Sequence, residues 1–221
     1  MKSVIFDLDG TLADTSADLI AAATACFDGI GQGKPLDAEA DALTAFHGGR
    51  AMLRLGFERL GVDWDEAAVD AQYPILLDYY GDHIAVHTTL YPSVVPTLEE
   101  LRERGYLLGI CTNKPEGLAE TLMVKLGIRE MFGALLGADT LSVRKPDPEH
   151  LWETIRRLGG DLKRSVLIGD TENDRSAARN AGVPSVLVTF GPSGEAIKAL
   201  EPAALLNHFS ELPDLLDQMI D

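Results

Sequence analysis

Short apolar runs recur along the chain, and polar or turn-forming residues follow each of them. The first run ends at Asp7, just before an Asp-Gly pair that is typical of a turn. The runs are almost continuously hydrophobic, as parallel strands covered on both faces are. The pattern therefore predicts five buried strands: Ser3–Asp7, Tyr106–Cys111, Ala134–Ala138, Ser165–Ile168 and Ser185–Val188.

Helical patterns separate most of these strands. Leu118, Leu122 and Leu126 repeat at four-residue intervals, and Gly127 follows them as a stop signal. Similar patterns cover residues 94–101 and 177–181. Strands that alternate with helices indicate an α/β fold, so we expect a Rossmann-like, three-layer core with a mostly parallel sheet.

Residues 15–87 are different, because they carry helical patterns and no strand signal. Pro74 is expected to kink or divide the last helix. The sequence thus predicts an all-helical subdomain at 15–87, inserted into an α/β core made of 1–14 and 88–221. Its predicted helices are Leu19–Phe27, Ala38–Phe46, Met52–Leu60 and Glu66–Tyr80.

Charge and composition exclude several function classes. The formal net charge is −16, which argues against binding to nucleic acid or to an anionic membrane surface. No apolar run approaches the ~20 residues that span a bilayer. Asp7 and Asp9 lie where a signal peptide would need its apolar stretch. We therefore expect a cytoplasmic protein. Two cysteines are too few for a disulfide framework, and Cys111 is interpreted as a small buried residue.

Polar residues stand just beyond the predicted strands, where α/β sheets bind their ligands. These candidates, in chain order, are Asp7, Asp9, Gly10, Thr11, Thr112, Asn113, Lys145, Asp170 and Asp174. Each motif alone has a structural explanation, such as an Asx turn or a helix N-terminus. Four motifs in order at one edge favour a functional explanation.

Four of these candidates are carboxylates, and carboxylates that converge on one edge need compensation. Two charges ~4 Å apart repel by about 4 kcal/mol at an effective dielectric near 20. Protonation or a bound divalent cation relieves the repulsion. Hard oxygen ligands without clustered Cys or His indicate Mg²⁺ rather than Zn²⁺.

The residue types are suited to phosphoryl transfer. Asp7 is ionised at neutral pH, so it can attack phosphorus without a base. Asp9 can protonate the leaving oxygen and later deprotonate the hydrolytic water. Thr112 can hold phosphate oxygens, while Lys145 and Mg²⁺ offset their charge. Gly10 permits the sharp turn that follows.

The motifs Phe-Asp-Leu-Asp-Gly-Thr-Leu (6–12), Thr-Asn (112–113), Lys-Pro (145–146) and Gly-Asp…Asp (169–174) resemble those of the haloacid dehalogenase superfamily. The resemblance covers essentially the whole chain. It implies that Asp7 is the nucleophile and Asp9 the general acid/base. It also implies that Mg²⁺ is held by Asp7, the Asp9 carbonyl and Asp170, with Asp174 as ligand or support.

The helical insert resembles the cap of the phosphoglycolate phosphatase-like branch, as do residues 9–15 and 181–186. Such a cap protects the phosphorylated enzyme from stray water and carries the specificity residues. His47 and Arg50 are the candidate substrate contacts, Arg50 for a carboxylate. A helix–helix loop with a surface arginine is the structural alternative.

The sequence therefore predicts a magnesium-dependent phosphatase that acts on a small phosphorylated metabolite, with 2-phosphoglycolate as the favoured substrate. A sugar-phosphate mutase, a pyrophosphatase and a nucleotidase of the same superfamily remain open. A catalytically idle binding protein on the same fold is the alternative from another class. We expect a monomer or a homodimer.

Overall fold

The computed structural model describes residues 1–220, which form two units. One comprises residues 1–14 and 90–220, and the other is Thr15–Thr89. The boundaries expected from the sequence were at residues 14 and 87. None of the helices in the described chain has the length and apolar character needed to cross a bilayer.

The first unit is built on a six-stranded sheet. The strands of this sheet are β1 Ser3–Phe6, β4 Leu107–Cys111, β5 Ala134–Leu136, β6 Ser165–Gly169, β7 Ser185–Val188 and β8 Ala204–Leu206. Two further strands, β2 Ala13–Asp14 and β3 Thr89–Leu90, form a separate small sheet. The order in the large sheet is β5-β4-β1-β6-β7-β8, and every pair of neighbours is parallel. The predicted α/β fold with a mostly parallel sheet is confirmed.

Nine α-helices accompany these strands in residues 1–220. They are α1 Ser16–Gly29, α2 Ala42–Phe46, α3 Gly49–Leu60, α4 Glu66–Asp82, α5 Val94–Glu103, α6 Glu116–Lys125, α7 Pro148–Leu158, α8 Glu172–Ala181 and α9 Leu212–Met219. In the sheet unit, α7 packs against α8 and α5 against α9. One apolar cluster joins Ile5 and Leu167 of the sheet to Leu151 of α7 and Ala178 of α8.

The register of the central strands brings their carboxyl ends to the same level. Phe6 of β1 is paired with Ile110 of β4 on one side and Ile168 of β6 on the other. The residues that follow these three strands therefore emerge together at one edge of the sheet.

The second unit consists of α1–α4. Gly56 lets α3 approach α1 closely, because a Cβ at this position would lie 2.3 Å from the ring of Phe27. Phe27 in turn meets Phe57 edge to face, with ring centroids 5.1 Å apart. Trp64 stacks on Phe57, with ring centroids 5.8 Å apart.

Two helices of the second unit differ from the expectation. Pro74 does not divide α4, which runs without a break from Glu66 to Asp82, and a kink at Pro74 stays a prediction. The predicted helix Ala38–Phe46 is reduced to α2, because side chains hold the preceding backbone in a turn. The Asp37 carboxylate accepts hydrogen bonds from the N–H groups of Glu39 and Ala40, which competes with helix formation.

Candidate active site

A tight turn follows β1 and presents the first candidate residues. The Asp7 N–H donates to the carbonyl of Ile168, which extends the pairing of β1 with β6 by one residue. The N–H groups of Leu12 and Ala13 then bond back to the carbonyl of Leu8. Gly10 adopts φ 79°, a left-handed conformation that favours glycine, as expected.

Three buried carboxylates meet at this edge of the sheet. Asp7 follows β1, Asp170 follows β6, and Asp174 lies in the first turn of α8. Each offers an oxygen, and these oxygens lie within 4.8 Å of one another. The structure thus brings together three of the four acids that the sequence singled out as one cluster.

Lys145 is the cation that pairs with this cluster. Its buried ammonium lies 2.6 Å from Asp174 Oδ1 and 3.0 Å from Asp7 Oδ1. Burial alone would lower the pKa of Lys145, but the charges of Asp174 and Asp7 outweigh burial and raise it. Lys145 therefore carries a full positive charge between two of the acids.

Asp174 is already saturated with donors. Its Oδ2 accepts hydrogen bonds from the N–H groups of Asp170 and Thr171 and from the Thr171 hydroxyl, the last at 2.6 Å. Asp174 and Thr171 together form the capping box that begins α8. Gly169 makes room for this arrangement, because a Cβ there would lie 2.3 Å from Asp174 Cγ. The contacts of Asp174 favour a supporting role over direct ligation.

The two carboxylate oxygens of Asp170 differ in their hydrogen bonding. Its Oδ1 accepts a hydrogen bond of 2.9 Å from the Thr11 hydroxyl. Its Oδ2 is buried and has no hydrogen-bond partner within residues 1–220. A buried acceptor without a donor is costly, and a cation would satisfy it.

The electrostatics of the cluster support the same conclusion. Burial, followed by the charges of Asp174 and Asp9, raises the pKa of Asp7 to about 6 even though Lys145 opposes the shift. Burial and the charges of Asp174 and Asp7 raise the pKa of Asp170 well above its ordinary value. With all three carboxylates ionised, a single ammonium would leave an excess of two negative charges. The donor set therefore fits a hard divalent cation.

Thr112 and Asn113 follow β4 and reach the same edge. The Thr112 N–H donates to the carbonyl of Leu136 at 3.0 Å, so the backbone here continues the pairing with β5. The buried Thr112 hydroxyl oxygen accepts from the N–H of Lys114. The Asn113 amide donates to the carbonyl of Lys145, which places Asn113 as a support of the Lys145 segment.

Asp9 stands apart from the three-acid cluster and has a partner that the sequence reasoning missed. Lys114 Nζ lies 2.9 Å and 3.1 Å from its two carboxylate oxygens. Lys114 is buried, so this is a specific pair rather than a surface ion pair. The available signal was the position of Lys114 directly after Thr112 and Asn113, at the end of a strand.

His47 and Arg50 belong to the helical unit. His47 caps the C-terminal end of α2, and Gly48, with φ 97°, leads into α3. Arg50 forms an ion pair with Asp70 and lies over the ring of Tyr73, 4.4 Å from its centroid. Their proposed contact with substrate stays a prediction.

Cys111 is excluded as a nucleophile by its surroundings. It is fully buried in β4, and burial raises the pKa of its thiol to about 12. The thiolate, which is the reactive form, is therefore absent at neutral pH. The interpretation of Cys111 as a small buried residue is confirmed.

Comparison with known proteins gives a consistent result. A model of the haloacid dehalogenase-like hydrolase family matches residues 4–188. The phosphoglycolate phosphatase of Agrobacterium fabrum is 37% identical over 217 residues, covering 98% of this chain and 93% of that protein. The phosphoglycolate phosphatase of Mesorhizobium japonicum is also 37% identical, over 98% of this chain and 96% of its own.

Among solved structures, one described as a predicted phosphoglycolate phosphatase from Haemophilus somnus 129PT has a TM-score of 0.83 at 25% identity, and 97% of each chain is covered. The resemblance drawn from the four motifs is confirmed. The chain belongs to the haloacid dehalogenase-like hydrolase family.

Proposed function

We propose that this chain is a phosphatase that hydrolyses a small phosphate monoester, with 2-phosphoglycolate as the favoured substrate. The observation that carries the proposal is the buried cluster of Asp7, Asp170 and Asp174 with Lys145 inside it. The curated relatives named phosphoglycolate phosphatase, which match almost the full chain, support the choice of substrate.

The metal in this proposal is Mg²⁺. Asp7, Asp170 and the backbone carbonyl of Asp9 would hold it, and Asp174 would orient Asp170 and Lys145 around it. The unpartnered Asp170 Oδ2 and the uncompensated negative charge support this assignment. When bound, the ion supplies positive charge that stabilises the transferring phosphoryl group.

Asp7 is the nucleophile. Its carboxylate oxygen forms a bond to phosphorus while the bond between phosphorus and the leaving oxygen breaks. The product of this step is an aspartyl-phosphate and an alcohol. The pKa of Asp7 is raised in the metal-free protein, so the added positive charge also keeps this carboxylate ionised for attack.

Asp9 acts as the general acid and then as the general base. In the first step it donates a proton to the leaving oxygen, and in the second it accepts one from the water that attacks phosphorus. Hydrolysis breaks the bond between Asp7 and phosphorus, which restores the Asp7 carboxylate and returns Asp9 to its protonated form. Lys114 holds the Asp9 side chain by both oxygens, so Lys114 is proposed as its positioning partner.

Lys145, Thr112 and Asn113 bind and orient the phosphate group. Lys145 supplies a fixed positive charge, and the Thr112 hydroxyl and nearby backbone N–H groups supply donors. Asn113 contributes by holding the Lys145 carbonyl. Arg50, with His47 near it in the sequence, is proposed to bind the carboxylate of the substrate.

A substrate screen tests the proposed function. Turnover of an aryl phosphate should require Mg²⁺ and stop with EDTA. A panel ranked by kcat/KM should then place 2-phosphoglycolate above sugar phosphates, nucleotides and pyrophosphate. A sugar phosphate that is isomerised rather than hydrolysed would indicate a mutase. The absence of any metal-dependent turnover across the panel would favour a binding protein.

A further inference from the structure

His150 is a fully buried histidine that none of the four motifs includes. It lies on α7, five residues after Lys145, and both of its ring nitrogens face backbone groups. Nδ1 lies 3.3 Å from the N–H nitrogen of Lys145, and Nε2 lies 3.0 Å from the carbonyl oxygen of Gly137. The imidazole therefore bridges two segments at the edge of the sheet.

The two backbone groups determine the tautomer of the ring. An amide N–H can only donate and a carbonyl oxygen can only accept, so Nδ1 is the acceptor and Nε2 carries the proton. This is a neutral imidazole. Burial and the nearby charge of Lys145 lower the pKa of His150 to about 4, in agreement with the hydrogen bonds.

The Gly137 end of this bridge is tightly held. A Cβ on Gly137 would lie 2.3 Å from the backbone nitrogen of Glu116, so the chain passes this point without space for a side chain. The N–H of the next residue, Ala138, donates to the carbonyl of Lys114 at 2.9 Å. Gly137 is thereby tied to the segment that begins with Thr112.

The Lys145 end is held from two sides. His150 accepts from its N–H, and Asn113 donates to its carbonyl at 3.0 Å. Asn113 is the neighbour of Thr112, so both connections lead to the same segment. Hydrogen bonds thus join the backbone of Lys145 to Asn113, the residue directly after Thr112.

We propose that His150 is a positioning residue, which sets the Lys145 ammonium at the correct distance from the Thr112 segment so that both contact one phosphoryl group. The inference rests on the proposed function, because it takes Lys145 and Thr112 as phosphate contacts. A displacement of about 1 Å in such a group can lower the rate up to about a hundredfold.

Two conservative substitutions separate positioning from simple packing. In His150→Asn the side-chain oxygen replaces Nδ1 and still accepts from Lys145. In His150→Gln the amide nitrogen replaces Nε2 and still donates to Gly137, but the Lys145 N–H loses its acceptor. Each variant leaves one buried backbone group without a partner, so both should lose similar stability.

If His150 positions Lys145, the two variants should differ in activity but have similar melting temperatures. We expect kcat/KM of His150→Gln to be about tenfold or more below that of His150→Asn, with weaker inhibition by inorganic phosphate. The matched control is the same pair of substitutions at His83, an exposed histidine of the helical unit, where both variants should keep wild-type activity. Equal activities of the two His150 variants would overturn the inference.

The wild-type protein provides a test that does not depend on the variants folding. Nitrogen-15 NMR of the histidine rings should show a protonated Nε2 and an unprotonated Nδ1 for His150, without titration between about pH 6 and about pH 8. Adding inorganic phosphate should shift the His150 Nδ1 resonance and leave that of His83 unchanged. A ring protonated on Nδ1, or no response to phosphate, would contradict the inference.

These results separate the inference from the proposed function. If the wild-type protein hydrolyses phosphate esters and the two His150 variants are equally active, the inference fails and the function stands. If no phosphate ester is hydrolysed, the proposed function fails. The shift of the His150 Nδ1 resonance on adding inorganic phosphate then still shows whether His150 responds to phosphate bound near Lys145.

Discussion

The edge of the sheet and the helical unit use their charged residues in different ways. At the sheet edge, Asp7, Asp170 and Lys145 are all buried, and charges there are costly unless a ligand or a partner compensates them. In the helical unit, Arg50 and Arg54 pair with exposed acids, Asp70 and Glu66. Exposed ion pairs contribute little to stability, so these pairs could be broken at small cost to the fold.

This difference explains which part of the function can be predicted from the amino-acid sequence. Reaction chemistry requires specific residues at the ends of specific strands, whereas the residues proposed to choose the substrate are exposed and also have ordinary structural explanations. The predictions below test whether the sheet edge controls the chemistry and the helical unit controls the choice of substrate.

The largest effect is expected from Asp7→Asn. The substitution keeps the size of the side chain but removes the nucleophile, so turnover should fall by at least about a thousandfold with every substrate. Asp63→Asn, at an exposed aspartate of the helical unit, is the matched control and should be fully active. An Asp7→Asn variant with near wild-type kcat would be incompatible with the proposed mechanism.

Lys145→Met should have the next largest effect. It removes the ammonium that lies within hydrogen-bonding distance of both Asp7 and Asp174. We expect kcat/KM to fall about a hundredfold or more and inhibition by inorganic phosphate to weaken. Steady-state kinetics with phosphate as inhibitor measures both, and unchanged phosphate inhibition would show that Lys145 does not contact the phosphoryl group.

Lys114→Met should lower kcat by about tenfold or more, because Asp9 loses the partner that holds both of its oxygens. Lys125→Met, on an exposed position of α6, is the control. The comparison of kcat with KM is informative here. An increase in KM alone would mean that Lys114 binds substrate and does not position Asp9.

Arg50→Ala tests the helical unit directly. If Arg50 binds the substrate carboxylate, KM for 2-phosphoglycolate should rise about tenfold, while an aryl phosphate without a carboxylate should be hydrolysed as before. Arg54→Ala, one helical turn further, serves as the control. A parallel loss with both substrates would place Arg50 in folding or general catalysis instead of specificity.

A smaller effect is expected on stability in the absence of metal. The folded-state pKa of Asp7 lies near 6, above its ordinary value of 3.8. The folded state therefore binds more protons than the unfolded state in this window, and this group lowers stability as pH rises from about 4 to about 6. Asp7→Asn should thus gain stability relative to wild type as pH rises to about 8.

The quantity to measure is the difference in stability between wild type and Asp7→Asn. His150 acts in the opposite direction, because its lowered pKa makes the folded state bind fewer protons between about 4 and about 6.5, but this contribution cancels in the difference. Thermal melting in EDTA at several pH values should show a gap that opens with rising pH and closes when Mg²⁺ is added. A gap independent of pH would show that the Asp7 carboxylate is not destabilised by burial.

Much of the sheet unit could be predicted because its signals are local. Ser185–Val188 agrees with β7 at both ends, and β1, β4 and β6 agree to within one residue. Asp7 and Asp170 could be identified because they follow buried strands, whose parallel arrangement brings their ends together. β5 was predicted two residues too long, and β2, β3 and β8 were missed, since two or three residues are too few to show a period.

The rest depends on contacts that are distant in sequence. Lys114 acts through a pair with Asp9, 105 positions away, and no local pattern marks such a partner. The role of His150 depends on two backbone groups that only the fold places on either side of its ring. The shortened α2 has the same kind of cause, because the Asp37 side chain competes with a helix that the apolar pattern alone favours.

The covalent step is tested most directly by mass spectrometry of the protein quenched in acid during turnover. With an aryl phosphate, whose leaving group departs without a proton from Asp9, Asp9→Asn should slow hydrolysis of the intermediate more than its formation. The peptide that contains Asp7 should therefore gain the mass of one phosphoryl group in this variant, and Asp7→Asn should not. A phosphoryl group on another peptide, or none in Asp9→Asn while product still forms, would contradict the account.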